Sequence, residues 1–439
     1  MRPKRRVLLV RFISKALLNP FYRQEWVEAS VPAGLPSNQL ARLMDSRARA
    51  AHTNAALKAL LSGPTCAALV EALVSKYVAL SGEELEEWKE DPESYARTME
   101  VESGPDADTP RPIGVGLLLC MLEHGGEGVA LVLLRLASAL QQQQRTPDSV
   151  LMLEACYRCI GEGFNHVSSH VNFAAWYNSE LAPLLNANAP PAPPPGAQAP
   201  PPPVPIGGGA AGGEQALLVA VLAARALWLL GVCGQELPSD MLGSAYQQCV
   251  CYLAAEDVVV ALSAVTSLLG LLSLVLDDQA TLEQLRAAQR AAAGRGAAGG
   301  LVGRVDAMQL AETGGVSGMS GDSDQQENAA AMAEASARVE SRLASLSSQV
   351  IAAALLNCFG LLSRLREVES MVRVLQLVSV LVEALGERIR PHLGIIAAGL
   401  PQIWSRAEVL SAAAAAAAAS SSLLDRANAV HKHGADASD

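Results

Sequence analysis

Aromatic residues are scarce in this 439-residue chain, where Phe, Trp and Tyr together make up 4 %. Strands draw heavily on aromatic and β-branched side chains, so the shortage argues against a β-rich fold. An excess of positive charge is also lacking. Lys and Arg number 33 against 44 Asp and Glu, for a net charge of −11, and the acidic residues are spread out. Phosphate backbones need a basic face, so nucleic acid is excluded as the main ligand. An acidic chain suits basic partners or general solubility better. A secretory leader is missing too: Met1–Arg6 is basic, but Arg11 and Lys15 break the apolar run behind it. That basic end reads as a solvated chain end or as a nuclear-localisation cluster.

Catalytic and metal-binding patterns are likewise absent. The Gly-rich stretches at 207–213 and 294–300 lack the Gly-Lys-Ser/Thr ending of a phosphate loop, and no Gly-x-Ser-x-Gly element occurs. Cys156-x-x-Cys159 and Cys249-x-Cys251 invite a zinc reading, but the pairs stand roughly 90 residues apart in apolar helical stretches without a matching His. All eight cysteines therefore read as reduced, buried thiols. His166 and His170 have the four-residue spacing of a helical metal pair, yet Val167 stands where a metalloprotease needs Glu. The acidic group Glu83, Glu84, Glu86, Glu87, Glu90, Asp91 and Glu93 has no neighbouring nucleophile or apolar pocket and reads as a solvated helix face. No catalytic, cofactor or metal site is expected, and the chain is not read as an enzyme.

What the chain does have is apolar material, 50 % of it, mostly Ala, Leu and Val. Ala and Leu head the helix scale, so the expected fold is all-α. Helical stretches of 12 to 20 residues alternate with short Gly, Pro and Asp turns such as Ser62-Gly63-Pro64, Gly125-Gly126 and Thr146-Pro147-Asp148. Helices that each need a neighbour to cover an apolar face build an α-solenoid, and HEAT-like units of roughly 40–47 residues fit the spacing. Residues 1–186, 215–278 and 343–411 are read as such repeats. They are separated by a Pro/Gly-rich linker at 187–214 and a low-complexity, mostly disordered insertion at 279–342 that allows a short helix near Ala329–Arg342, and followed by an Ala-rich helix end and disordered tail at 412–439. Val258–Leu276 is 19 uncharged residues, long enough to span a bilayer, but acidic pairs flank it on both sides and Ser, Thr and Gly punctuate it. A buried solenoid helix is the reading, without membrane insertion.

One segment carries a family signal. After Lys76-Tyr77, Ser81 and Glu84 are spaced as a capping box, and Trp88-x-x-Asp91-Pro92-x-x-Tyr95 follows. This resembles a Trp-x-x-Asp-Pro-x-x-aromatic element of the importin-β family of nuclear transport receptors. Further weak likenesses continue in the same order over roughly 60–410: Arg111-Pro112, Glu154–Ile160, Asn172–Leu185, Ala226–Gly231, Asp257–Val260, Glu387–His392 and Leu400–Trp404. One departure is Ala261 after Val260, where a HEAT turn commonly places Arg. The likeness covers a middle to C-terminal portion, and nothing resembles the N-terminal repeats with which the family binds the Ran GTPase. What the resemblance implies is an importin-type transport receptor, shuttling between nucleus and cytoplasm through the nuclear pore. Its partners would be protein cargo, Ran-GTP (small GTPase binding) and Phe-Gly nucleoporins. The alternative is a HEAT-repeat interaction scaffold without transport activity.

Overall fold

In a computed structural model, the described residues are 3–17, 19, 24–31, 34–101, 109–190, 210–306, 321–401, 403–406 and 408. Every regular element among them is a helix.

The helix ends follow from local chemistry. Pro64 sits in the first turn of α4 (Gly63–Leu73), where a missing N–H costs nothing, and α3 (Ser37–Leu60) stops just before it. A π-helical turn, Val74–Val78, prolongs α4. The capping box is formed: the Ser81 hydroxyl accepts from the Glu84 N–H at 3.2 Å, and the Glu84 carboxylate accepts from the Ser81 N–H at 2.7 Å. It opens α5 (Gly82–Glu90). Asp91 leaves the helical region at φ −139°, as a residue before proline should, and Pro92 starts α6 (Pro92–Val101). Gly126, at φ +49°, makes the tight reversal from α7 (Pro110–Gly125) to α8 (Glu127–Gln142). A side chain there would be strained. Thr146 and Ser149 cap each other's backbone at the start of α9 (Pro147–Glu162).

Five helix pairs stack in order among the described residues. They are α4 with α7, α8 with α9, the short helices α10 (Phe164–Val167), α11 (Phe173–Trp176) and α12 (Ala182–Ala187) with α13 (Ala210–Cys233), α14 (Ser239–Tyr252) with α15 (Val258–Asp306), and α17 (Ser348–Arg364) with α18 (Val368–Leu385). First helices touch first helices: α4 meets α8, α8 meets α10, α12 meets α14, and α14 meets α17. Second helices form the other row, α7, α9, α13, α15 and α18, each packed on the next. The expected all-α, HEAT-like solenoid is therefore the observed architecture. One continuous core runs through it, from Leu73 and Val78 to Leu381 and Ile389.

Val258–Leu276 lies inside this core, with Val260, Ala264, Val265, Leu268, Leu271, Leu272 and Val275 buried against neighbouring helices. By length and composition alone this helix could cross a membrane, as could Gly63–Glu90 and Gly213–Glu236. Within the stack, α13 and α15 meet through small residues. A Cβ on Gly270 would lie 2.8 Å from the Gly231 carbonyl oxygen, and one on Gly231 would lie 2.7 Å from Cα of Ser267.

The short helix expected near Ala329–Arg342 falls within a longer one, and 279–306, read as mostly disordered, is helical too. Helix α15 runs unbroken to Asp306, and α16 (Gly321–Ala344) returns against it. Leu282, Ala335, Val339 and Leu343 are buried, and Asp278 pairs with Arg338 and Arg342 at 3.4 and 2.9 Å. The Ala-rich composition that made the segment look featureless is also strongly helix-forming, and few apolar positions suffice once two helices share them. Residues 307–320 of the insertion, 191–209 of the Pro/Gly linker, and the tail at 412–439 with its Ala412–Ala419 run lie outside the described residues. Helix α13 begins at Ala210, within the span read as linker.

A Gly270→Val substitution should force α13 and α15 apart and cost about 1–3 kcal/mol. Urea unfolding followed by circular dichroism reads this as a lower midpoint, and an unchanged midpoint would deny the close crossing.

Candidate functional site

The α5–α6 segment does not stay with its own pair. It lies across the row of second helices, and α6 packs on both α15 and α18. Trp88 is buried, and its indole N–H donates to Asp257 Oδ2 at 2.9 Å. The other oxygen of Asp257 accepts the Val260 N–H at 3.0 Å and so caps α15. Tyr95 stacks on Trp88 with ring centroids 5.0 Å apart. Glu93 accepts the backbone N–H groups of Arg366 and Glu367, at 2.7 and 2.8 Å, where α18 begins. Arg97 pairs with Glu367 at 3.1 Å. The Trp-x-x-Asp-Pro-x-x-Tyr segment is thus a strap that ties distant repeats together.

Two expectations change accordingly. Glu93 is a buried cap rather than part of a solvated face, while Glu83, Glu86, Glu87, Glu90 and Asp91 are exposed as expected. Pairs in a simple solenoid contact only their neighbours. Here the strap bridges residues 169 to 274 apart in sequence.

Under the strap sits a cluster of buried charge. Glu154 of α9 accepts from Arg111 of α7 and, at 2.7 Å, from Arg225 of α13 through its Oε1. Burial alone would raise the Glu154 pKa; Arg111 and Arg225 outweigh it and hold the carboxyl below its ordinary value. The Arg225 guanidinium also lies 4.8 Å from the centre of the Trp228 ring. Arg158, one turn beyond Glu154, is 1 % exposed. Among the described residues it donates to Met99 Sδ at 3.6 Å, and its Nε, without a hydrogen-bond partner, stands 4.0 Å from Glu162 Oε1. Burial, then Arg111 and Arg225, push its pKa down to about 10. Among the described residues, the Tyr95 hydroxyl is buried without a hydrogen-bond partner, as is Glu154 Oε2. Burial lifts the Tyr95 phenol to about 12.

These groups border a cavity of about 240 Å³ between the strap and the second helices α9, α13, α15 and α18. Its polar lining is Tyr95, Glu154, Arg158, Glu162, Arg225, Ser263, Thr266 and Arg373, and Trp88 and Trp228 add aromatic walls. Glu154, Arg158 and Arg225 were not singled out for chemistry by sequence. The signal available was a charged residue inside an otherwise apolar helical stretch, such as Arg225 in LLVAVLAARALWLL.

The other candidates are scattered. Cys156 and Cys159 lie buried on α9; on α14, Cys249 is buried beside the Ser267 hydroxyl at 3.2 Å and Cys251 is half-buried. His166 is exposed on α10, and His170 belongs to the 3₁₀ turn after it. Among the described residues, no three His, Cys, Asp or Glu side chains are grouped to hold a metal ion. The family-like stretch Asn172–Leu185 builds core instead, with Phe173, Tyr177, Leu181 and Leu185 buried and the Tyr177 hydroxyl donating to Gln248 at 2.8 Å. In Glu387–His392, Ile389 and His392 are buried, whereas Trp404 is exposed and donates to Glu408 at 2.9 Å. Gln402, in the second of these motifs, lies outside the described residues.

Comparison with known proteins adds a family context. No family model matches the chain. A stretch of 126 residues is 31 % identical to importin-11 of Homo sapiens, and one of 129 residues is 30 % identical to importin-11 of Mus musculus. Each match covers 28 % of this chain and 13 % of the relative, far short of its full length. This similarity supports the importin-β family resemblance read from the motifs. Among solved structures, Lph2, a bidirectional nuclear transport receptor of S. cerevisiae, overlays with a TM-score of 0.42 at 15 % identity. The overlay covers 87 % of this chain and 30 % of that one, and at that score it carries no weight.

Burial raises the Cys159, Cys249 and Cys358 thiols to about 12 and Cys120 to about 11, so the reactive thiolate is rare at pH 8. A chromogenic disulfide reagent at pH 8 should react fast with at most the half-buried Cys251 in the native chain, and with all eight cysteines in guanidinium. Rapid native labelling of Cys156 or Cys159 would contradict their burial.

Proposed function

We propose that the chain is a portion of an importin-type nuclear transport receptor, which binds protein cargo on its helical stack and shuttles between cytoplasm and nucleus. The similarity to importin-11 carries this reading, together with the collinear motifs read over roughly 60–410. The strap supports it as well. Its Trp88 and Tyr95 and the distant Asp257 belong to segments that resemble the family, and in this chain they meet in one contact.

The mechanism is recognition without catalysis. A stack of helix pairs offers a long surface to a folded partner, and many shallow contacts add up. The strap covers part of the second-helix row, which confines large partners to the surface outside it. Phe-Gly nucleoporin repeats would insert aromatic side chains between helices. Exposed apolar side chains such as Leu356, Val368, Val372 and Leu393 are available at one end of the stack. Ran-GTP would release cargo in a receptor that includes this portion. The stack carries out this work in solution, with Val258–Leu276 inside it rather than in a bilayer.

Immobilised Phe-Gly repeats and GTP-locked Ran, presented to this chain and to the longest version encoded with it, test the proposal. Retention on the Phe-Gly repeats, with Ran-GTP binding by the longer version, is the expected result. Failure of both to bind either version would overturn the transport reading.

A further inference from the structure

The cavity beneath the strap has no place in a receptor that works through its outer surface. Its wall carries three guanidinium groups, Arg158, Arg225 and Arg373, against two carboxylates, Glu154 and Glu162. One oxygen of Glu154 receives both Arg111 and Arg225, while the other has no hydrogen-bond partner among the described residues. Arg158 donates to the Met99 thioether and faces a Glu162 oxygen 4.0 Å away, and among the described residues its Nε has no hydrogen-bond partner, though the side chain is almost fully buried. A buried cation with so little compensation is unfavourable, and burial together with Arg111 and Arg225 depresses the Arg158 pKa. Tyr95 belongs to the same wall, and among the described residues its buried hydroxyl has no hydrogen-bond partner.

We propose that this cavity is an oxyanion-binding pocket, in which Arg158 and the Tyr95 hydroxyl donate to a phosphate or carboxylate group. A volume of about 240 Å³ is several times the ~30 Å³ share of one water molecule, so it has room for such a group. Half-buried Glu162, Trp228, Ser263, Thr266 and Arg373 on its wall leave a way in from solvent. The group has two possible sources, a free anion or the acidic side chain of a peptide, and both present the same oxygens to the same donors. Because the strap supplies Tyr95 and Met99 and the stack supplies Arg158, an occupant would also pin the strap to α9. This inference stands apart from the transport reading and survives its failure.

The test uses the whole chain at constant ionic strength, titrated with sodium phosphate, with an acetylated tetraglutamate peptide, or with chloride as control. Tryptophan emission and the melting temperature are the two readouts, since Trp88 and Trp228 line the pocket. Saturable response to phosphate supports a free-anion site; response to the peptide alone supports a side-chain site. Arg158→Gln should weaken binding at least tenfold, and Tyr95→Phe, which keeps the ring on Trp88, about threefold. Circular dichroism establishes that each variant is folded, and Tyr95→Phe decides the matter if Arg158→Gln is not. No saturable response to either probe would overturn the proposal and leave a water-filled void. Binding untouched in every folded variant would overturn it equally, as an adventitious ion elsewhere on the surface.

Discussion

A carboxylate buried deep in a helical stack must be neutralised where it sits, and Glu154 is such a group. It is 1 % exposed, and one oxygen takes hydrogen bonds from Arg111 and Arg225. Those three residues belong to three successive second helices, α7, α9 and α13. Apolar contacts along these helices would tolerate some sliding, since hydrophobic burial is non-directional. Two charged hydrogen bonds to one atom allow far less, because their strength falls steeply with distance and angle. The node therefore sets the register of three repeats at once. Trp228 stacks on the back of Arg225, and the strap seals the cluster from above with Tyr95.

The strap alters the mechanics that a solenoid ordinarily has. A stack whose units touch only their neighbours bends as a spring, with each interface giving a little. Here the Trp88–Asp257 bond and the Glu93 cap run from an early repeat to the last two pairs. Bending that separated those pairs would break partly buried, long-range hydrogen bonds. The strap consequently braces the stack from the early repeat to its last two pairs. The brace also divides the surface of the stack. The first-helix row and the ends stay open, while part of the second-helix row is closed off around a charged cavity.

Much of the architecture was legible in the residues, because its determinants are local. Ser81 with Glu84, Thr146 before Pro147, Gly126 and Asp91-Pro92 each fix a helix end within a few positions, and all occur where the sequence places them. The strap was visible as a motif but not as a strap. Nothing within Trp88–Tyr95 states that Asp257 will arrive 2.9 Å away, since that depends on the stacking of every pair between them. The charge cluster was hidden for a similar reason. Arg111, Glu154 and Arg225 look like isolated charges in three helices until the helices align them. The segment 279–306 was misread because low apolar content outside Ala resembles disorder, although a second helix, α16, needs only a few buried positions to hold it.

The central claim is that Glu154 holds the repeats in register by charge, and paired equilibrium unfolding tests it most directly. Removing one member of a buried ion cluster strands the others, at about 3–5 kcal/mol, whereas replacing the whole cluster with apolar residues is often neutral or stabilising. Urea midpoints of Glu154→Gln and of the triple change Arg111→Met, Glu154→Leu, Arg225→Met should therefore move in different ways. The single variant should lose several kcal/mol and the triple variant should regain most of it. A Glu154→Gln chain as stable as the parent, or a triple variant that loses the sum of its parts, would contradict the account.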